Sequence, residues 1–254
     1  MHPFGLAIVA AVFVTGACSR AQSPANAGPT SPPGSGTAPV RVLMLTATAG
    51  YRHESITTAR QVMTSLAGGA GFAVTATEDV SALTESNLAA FDVLFFALTS
   101  GELPLSEDQK SAMLKFVSGG GGFLGVHSAA DTLYEWPAYG GMVGAYFKEH
   151  PWTQLGTVVV EQPSDPTTEG LGGRFSLVEE FYTFRDNPRP RVHVLLSLDA
   201  ASVGSNGDFP LAWSQTYGAG RTYYNALGHF RETWQDRRFQ QQITAAIQWA
   251  SRNR

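Results

Sequence analysis

Gly121-Gly122-Phe123-Leu124-Gly125-Val126-His127-Ser128-Ala129-Ala130-Asp131 decides the fold. From Gly121 to Val126 every residue is apolar or glycine, without polar alternation. That is the pattern of a strand covered on both faces in a parallel sheet. The buried strand is expected to run from Gly122 to His127 and to feed directly into a helix at Ser128. A sharp strand-to-helix turn lifts one side chain, here His127, above the sheet end beside helix N-terminal amides. Ser128 and Asp131 have the spacing of a capping box for that helix, a reading that stands beside any role of Asp131 in a site.

Upstream, strands are expected at 40–46, 72–77 and 91–98, with a helix at 55–66 closed by Gly68-Gly69. A second helix opens on the capping pair Ser106 and Gln109, buries Met113, Leu114, Phe116 and Val117, and ends at Gly119. Strands alternating with helices imply a parallel sheet with covering helices. Downstream the chain is strand-rich, at 155–160, 192–198, 209–214 and 221–226. Tyr217-Gly218-Ala219-Gly220 makes the last two a hairpin. A closing helix at 236–250 lines Phe239, Ile243, Ile247 and Ala250 on one side. The expected class is α/β: a mainly parallel sheet flanked by helices, with an antiparallel extension in the second half.

Outside this region the sequence changes character. Residues 4–17 form an apolar run too short to span a bilayer but suited to a signal-peptide core. It ends Val14-Thr15-Gly16-Ala17-Cys18, similar to the lipobox of bacterial lipoproteins, in which the cysteine is lipidated. Cleavage after Ala21, at Ser19-Arg20-Ala21, is the alternative. Both place the domain outside the cytoplasm, periplasmic or at the cell surface, with a lipid anchor in the first case. Residues 19–39 are rich in Ser, Ala, Pro, Gly and Thr and read as a disordered tether. The division is therefore leader 1–18, linker 19–39 and one domain 40–254. Cys18 is the only cysteine, so disulfides and thiol catalysis in the domain are excluded on composition. The net charge of −4 argues against a nucleic-acid partner.

Three polar clusters follow expected strands, where open parallel sheets bind ligands. They are Thr48-Ala49-Gly50-Tyr51-Arg52-His53-Glu54, then Gly125-Val126-His127-Ser128-Ala129, then Ala226-Leu227-Gly228-His229-Phe230. If their strands are neighbours, His53, His127 and His229 converge. Imidazole titrates near neutrality and ligates divalent metals. No tight H-x-x-x-H spacing marks a metal site, so metal and cofactor stay open. Glu179-Glu180-Phe181-Tyr182 offers a carboxylate, Glu180, that could orient a histidine or act as an acid. His150, before Pro151-Trp152, is a further candidate, whereas His193 reads as a strand residue. Tyr51, Arg52, Trp136, His150 and Tyr182 are candidate substrate contacts, since aromatic faces beside polar groups suit sugar rings. Tyr134, Trp152 and Trp234 fit that chemistry too, and all of these aromatics also suit packing.

The 121–132 segment, followed by Tyr134-Glu135-Trp136-Pro137 and Tyr139-Gly140, resembles the ThuA-like (trehalose-utilisation) family. So do Tyr51-Arg52-His53-Glu54-Ser55-Ile56, Glu149-His150-Pro151, Glu179-Glu180-Phe181-Tyr182, Pro210-Leu211-Ala212-Trp213, Gly220-Arg221 to Tyr224, and Leu227-Gly228-His229. The resemblance runs from about residue 40 to the C-terminus. It implies a class I glutamine-amidotransferase-like, flavodoxin-like three-layer fold, with His127 where the nucleophilic cysteine of those relatives stands. It also implies carbohydrate utilisation, with trehalose-type disaccharides or their keto forms as the substrate area. Glu179 stands where Asp is common in the family.

Three functions follow as expectations, two of them ahead of the third. One is a sugar-acting hydrolase, lyase or isomerase using His127, His53, His229, Glu180 and Asp131. The other is a non-catalytic carbohydrate-binding or accessory lipoprotein. A scaffold partner for a keto-sugar-forming oxidoreductase is a third.

Overall fold

The computed structural model describes residues 10–11 and 38–251. Cys18, its flanks and the tether up to residue 37 lie outside the described residues. Nine strands form one sheet: β1 Val40–Leu45, β2 Phe72–Thr77, β3 Val93–Ala97, β4 Gly122–Val126, β5 Phe147–Val160, β6 Arg174–Phe184, β7 His193–Leu198, β8 Pro210–Tyr217 and β9 Gly220–Asn225. The helices are α1 Ile56–Ala67, α2 Glu85–Leu88, α3 Glu107–Ser118, α4 Pro137–Val143, α5 Arg231–Gln235 and α6 Arg237–Ala250. Strand order is β2-β1-β3-β4-β9-β8-β7-β5-β6. From β2 through β9 the pairs are parallel, and from β9 to β6 they are antiparallel.

The parallel half follows from composition. Every residue of β3 and β4 is buried, which is why neither strand alternates. The capping box of Ser106 and Gln109 closes as expected, with the Gln109 amide N–H on Ser106 Oγ and the Ser106 N–H on Gln109 Oε1. In α6, Phe239, Ile243, Ala246, Ile247 and Ala250 are buried at helical spacing, and the helix packs on β1, β4 and β9.

The structure departs from the sequence expectations in three places. The segment after β4 is a single 3₁₀ turn, His127–Asp131, and not a helix opened by a capping box. Asp131 instead accepts the Tyr134 hydroxyl at 2.7 Å. Strand β5 begins at Phe147, eight residues before the expected start at 155, and β6 has no counterpart among the expected strands. The physical reason is that β6 buries two adjacent glutamates, Glu179 and Glu180, which hydropathy patterning reads as surface. Their partners come from distant parts of the chain.

One ion-pair group ties the loops of the antiparallel half. The Arg189 guanidinium bonds Glu161 at 2.7 and 2.8 Å and Asp208 at 2.6 Å through two nitrogens. It holds both carboxyls below their ordinary range. A depressed carboxyl stabilises the fold above its unfolded pKa and loses that contribution as pH falls through the folded one. Arg189→Met is therefore expected to cost about 1 kcal/mol at neutral pH, a figure kept small by solvent exposure. The same variant should lose less stability than wild type as pH drops below about 4.5. Urea melts at pH 7 and pH 3.5 check this; equal acid losses in both proteins would refute it.

Candidate functional site

The site lies at the carboxyl ends of β1, β4 and β9, roofed by the β5–β6 pair. His127 is the first residue after β4 and is fully buried. Its φ of 53° is in the left-handed region, which costs a non-glycine residue about 1–2 kcal/mol. Two contacts fix it there. Tyr224 Oη donates to the His127 carbonyl at 2.8 Å, and His127 Nδ1 meets the Ala226 carbonyl at 2.8 Å. A carbonyl can only accept, so Nδ1 carries a proton toward it and Nε2 faces into the site.

His53 is placed by a loop that interlocks with the loop after β3. The Ala49 and Gly50 amides donate to the Ser100 carbonyl at 2.8 and 3.1 Å. The approach is so close that a Cβ on Gly101 would lie 2.5 Å from the Gly50 nitrogen, and Gly101 has φ +74°. Only glycine fits there. His229 follows Gly228, whose φ of +120° turns the chain after β9. Glu179 secures this turn with four accepted hydrogen bonds: Gly228 N–H at 2.9 Å, His229 N–H at 3.2 Å, Thr233 Oγ1 at 2.7 Å and Glu180 N–H at 2.9 Å.

The three imidazoles meet, with ring centroids 4.8, 5.1 and 5.2 Å apart. Glu180 enters from β6. Its Oε2 lies 3.4 Å from His127 Nε2 and 3.1 Å from His229 Nδ1, and those two nitrogens are 3.3 Å apart. Glu180 Oε1 meets His150 Nδ1 at 3.3 Å. Tyr182 Oη stands 3.0 Å from His127 Nε2 and His53 Nδ1 3.4 Å from Ser128 Oγ. One ligand atom from each of His53, His127, Glu180 and His229 lies within 4.8 Å of the others.

Electrostatics sort these groups. Burial, reinforced by the neighbouring His127 and His229, lowers His53 to about 3, so it is a neutral base at physiological pH. Burial works against ionisation of Glu180, but the hydrogen bonds and charge of His127 and His229 outweigh it and hold the carboxyl well below its usual range. Burial likewise opposes charge on His229, and its bond to Glu180 wins, raising it. Burial keeps Tyr182 a neutral phenol and raises Asp131.

Of the other candidates, Tyr51, Asp131, His150 and Tyr182 line a cavity of about 320 Å³ together with His53, Glu180 and His229. Two do not join them. Arg52 is exposed and forks onto Glu78 at 2.8 and 2.9 Å, and Trp136 stacks on Tyr139. Tyr134 lies under the Arg185 guanidinium, Trp152 packs on Phe209, Trp234 is buried against Phe239, and His193 is exposed on β7. Sequence reasoning missed Phe147, which lines the cavity and packs on Tyr182 at 4.2 Å, and gave Glu179 no task. The adjacency of Glu179-Glu180 to the aromatics Phe181-Tyr182 was the available signal.

Known proteins share this architecture. A putative ThuA-like protein from Bacteroides uniformis superposes with a TM-score of 0.72 at 25% identity, over 87% of this chain and 95% of that one. One from Parabacteroides merdae gives 0.69 at 18% identity, over 84% and 90%. A putative GMP synthase component from Thermoplasma acidophilum gives 0.53 at 12% identity, over 84% and 94%, a likeness of fold alone. Among curated proteins none matches. The family described as ThuA, trehalose utilisation, matches residues 41–250. Nearly the whole described domain is covered by that match, and the chain belongs to the ThuA family, with a class I glutamine-amidotransferase-like fold.

Proposed function

We propose that this domain is an exported, metal-dependent enzyme acting on a sugar of the trehalose or keto-sugar type, with His53, His127, His229 and Glu180 as the metal ligands. One observation carries the reading. Ligand bonds of about 2.0–2.1 Å at tetrahedral angles separate neighbouring ligand atoms by about 3.3–3.4 Å. His127 Nε2, His229 Nδ1 and Glu180 Oε2 form a triangle with sides of 3.1, 3.3 and 3.4 Å. The Ala226 carbonyl fixes the tautomer of His127, as an outer partner does for a ligating histidine. A divalent ion in this set would polarise a sugar carbonyl or hydroxyl, or lower the pKa of a bound water.

The chain's own groups complete the site. Asp131 is raised by burial and keeps one oxygen on the Tyr134 hydroxyl, which suits proton exchange with a sugar hydroxyl. Phe147 and Tyr182 supply ring faces for the apolar side of a sugar. With Cys18 the only cysteine, no thiol is available for the chemistry of thiol amidotransferases. The reaction is a hydrolysis, elimination or isomerisation. Export rests on the apolar leader ending at Cys18, whose lipid would anchor the domain. Among the described residues no helix is long and apolar enough to cross a membrane.

A second reading has its own support. The Tyr182 phenol reaches His127 Nε2 at 3.0 Å, so the same atoms close a proton-transfer network without a metal. Metal analysis separates the two. The purified protein is expected to carry about one equivalent of zinc or a similar ion per chain. Chelation should abolish conversion of trehalose or keto-disaccharides, followed by sugar proton NMR, and lower the melting temperature. A metal-free protein whose melting temperature ignores added zinc and cobalt would overturn the metal reading. Metal binding with no conversion of any sugar would favour the accessory, sugar-binding role.

A further inference from the structure

Two buried amides, Asn225 at the end of β9 and Gln242 in α6, carry no task in the function proposed above. Neither side chain reaches solvent. A buried amide is costly unless its oxygen and its nitrogen are both matched, and once matched it has one orientation.

The donors and acceptors follow in order. The Arg238 carbonyl can only accept, so Gln242 Nε2 faces it, at 3.2 Å. Gln242 Oε1 is thereby turned to Asn225, whose Nδ2 donates to it at 3.0 Å and to Tyr223 Oη at 3.2 Å. At the far end the Leu227 N–H can only donate, and Asn225 Oδ1 takes it at 3.0 Å. Both ends demand the same orientation of the two amides. Flipping either one alone would set donor against donor or acceptor against acceptor.

The Leu227 N–H belongs to the same peptide unit as the Ala226 carbonyl, and a peptide unit is planar and rigid. That carbonyl is the one that meets His127 Nδ1 at 2.8 Å. The plane is therefore gripped at both edges, by Asn225 on its N–H and by His127 on its oxygen. The Ala226 N–H is tied in turn to the Leu211 carbonyl of β8 at 2.7 Å. Ala226 and Leu227 are buried, so water does not substitute for these partners. An asparagine turn at a strand end needs only the side-chain oxygen. Here the nitrogen is committed as well, to the helix packed on the sheet.

We propose that Asn225, locked by Gln242, is a positioning residue for His127. It sets the rotation of the Ala226–Leu227 peptide, so that the carbonyl keeps a proton on Nδ1 and Nε2 faces the site. The consequence for metal binding rests on the reading of His127 as a ligand; the positioning itself does not.

The test uses the nitrogen-15-labelled full chain, first free of metal and then titrated with zinc. Wild type is expected to show a His127 Nδ1 proton in slow exchange with water. Asn225→Ala should speed that exchange tenfold or more and weaken zinc binding about tenfold. Asn225→Ser should recover much of both, because a serine hydroxyl also accepts from the N–H two residues on, though more weakly. Alanine and serine are close in size, so a packing role predicts equal effects for the two. Gln242→Met, which acts from α6, should fall between wild type and Asn225→Ala. Equal exchange rates in the alanine and serine variants, or wild-type exchange in Asn225→Ala, would overturn the positioning. Exchange that follows Asn225 as expected, in a chain that binds no zinc, would overturn the metal reading and leave the positioning in place.

Discussion

His127→Ala is expected to lower metal affinity by more than about 100-fold and to abolish sugar conversion. Loss of a partner that merely orients a ligand costs about 10–100-fold, and in the proposed ligand set His127 would supply a ligand atom directly. Its Nε2 is a corner of the 3.1–3.4 Å triangle, so deletion leaves His229 and Glu180 without their third member. A stability readout distinguishes this from misfolding. His127 occupies φ 53°, and alanine inherits that strain because it keeps a Cβ. His127→Gly is expected to be more stable than His127→Ala by about 1 kcal/mol, although both lack the imidazole. Zinc titration, a conversion assay and thermal melts of the two variants check this. Retained metal affinity in His127→Ala would remove His127 from the ligand set.

Glu179→Ala is expected to cost about 3 kcal/mol, more than Arg189→Met, and to weaken metal binding about tenfold or more. The carboxylate is fully buried and accepts from two amides of the turn carrying His229, from Thr233 and from the Glu180 amide. Removing it strands those donors without water to replace it. Glu179→Gln should fall between wild type and alanine. Its oxygen can serve one pair of donors, and Thr233 can rotate to accept from the new amide, but the Gly228 N–H cannot. Denaturant melts and zinc titration of both variants measure the effect. A wild-type metal affinity in Glu179→Ala would show that the His229 turn holds its place without Glu179.

Much of this site was legible before the fold was known. His53, His127 and His229 each follow an apolar strand, and in a parallel sheet such positions fall on one edge. Their strands β1, β4 and β9 bracket the centre of the sheet, in the order β1-β3-β4-β9. Residues of this kind are readable because local pattern and sheet polarity suffice. Arg52 and Trp136 look like substrate contacts in the sequence, yet Glu78 and Tyr139 claim them. A sequence does not show which partner reaches a side chain first.

The family resemblance, the parallel strands, the capped helix after Ser106 and the absence of a domain thiol were all determined by the sequence, because each rests on local pattern or composition. Tertiary structure alone decided that Gly121 to Asp131 runs from strand into a 3₁₀ turn and that Asp131 serves Tyr134 instead of a helix cap. It alone also brought Glu180 from the unforeseen strand β6 onto His127 and His229, and set Glu179 beneath the His229 turn. The candidate ligands come from residues 53, 127, 180 and 229, so no short spacing could announce them. Two adjacent glutamates look solvated in one dimension; they are buried because partners as many as 54 residues away satisfy their oxygens.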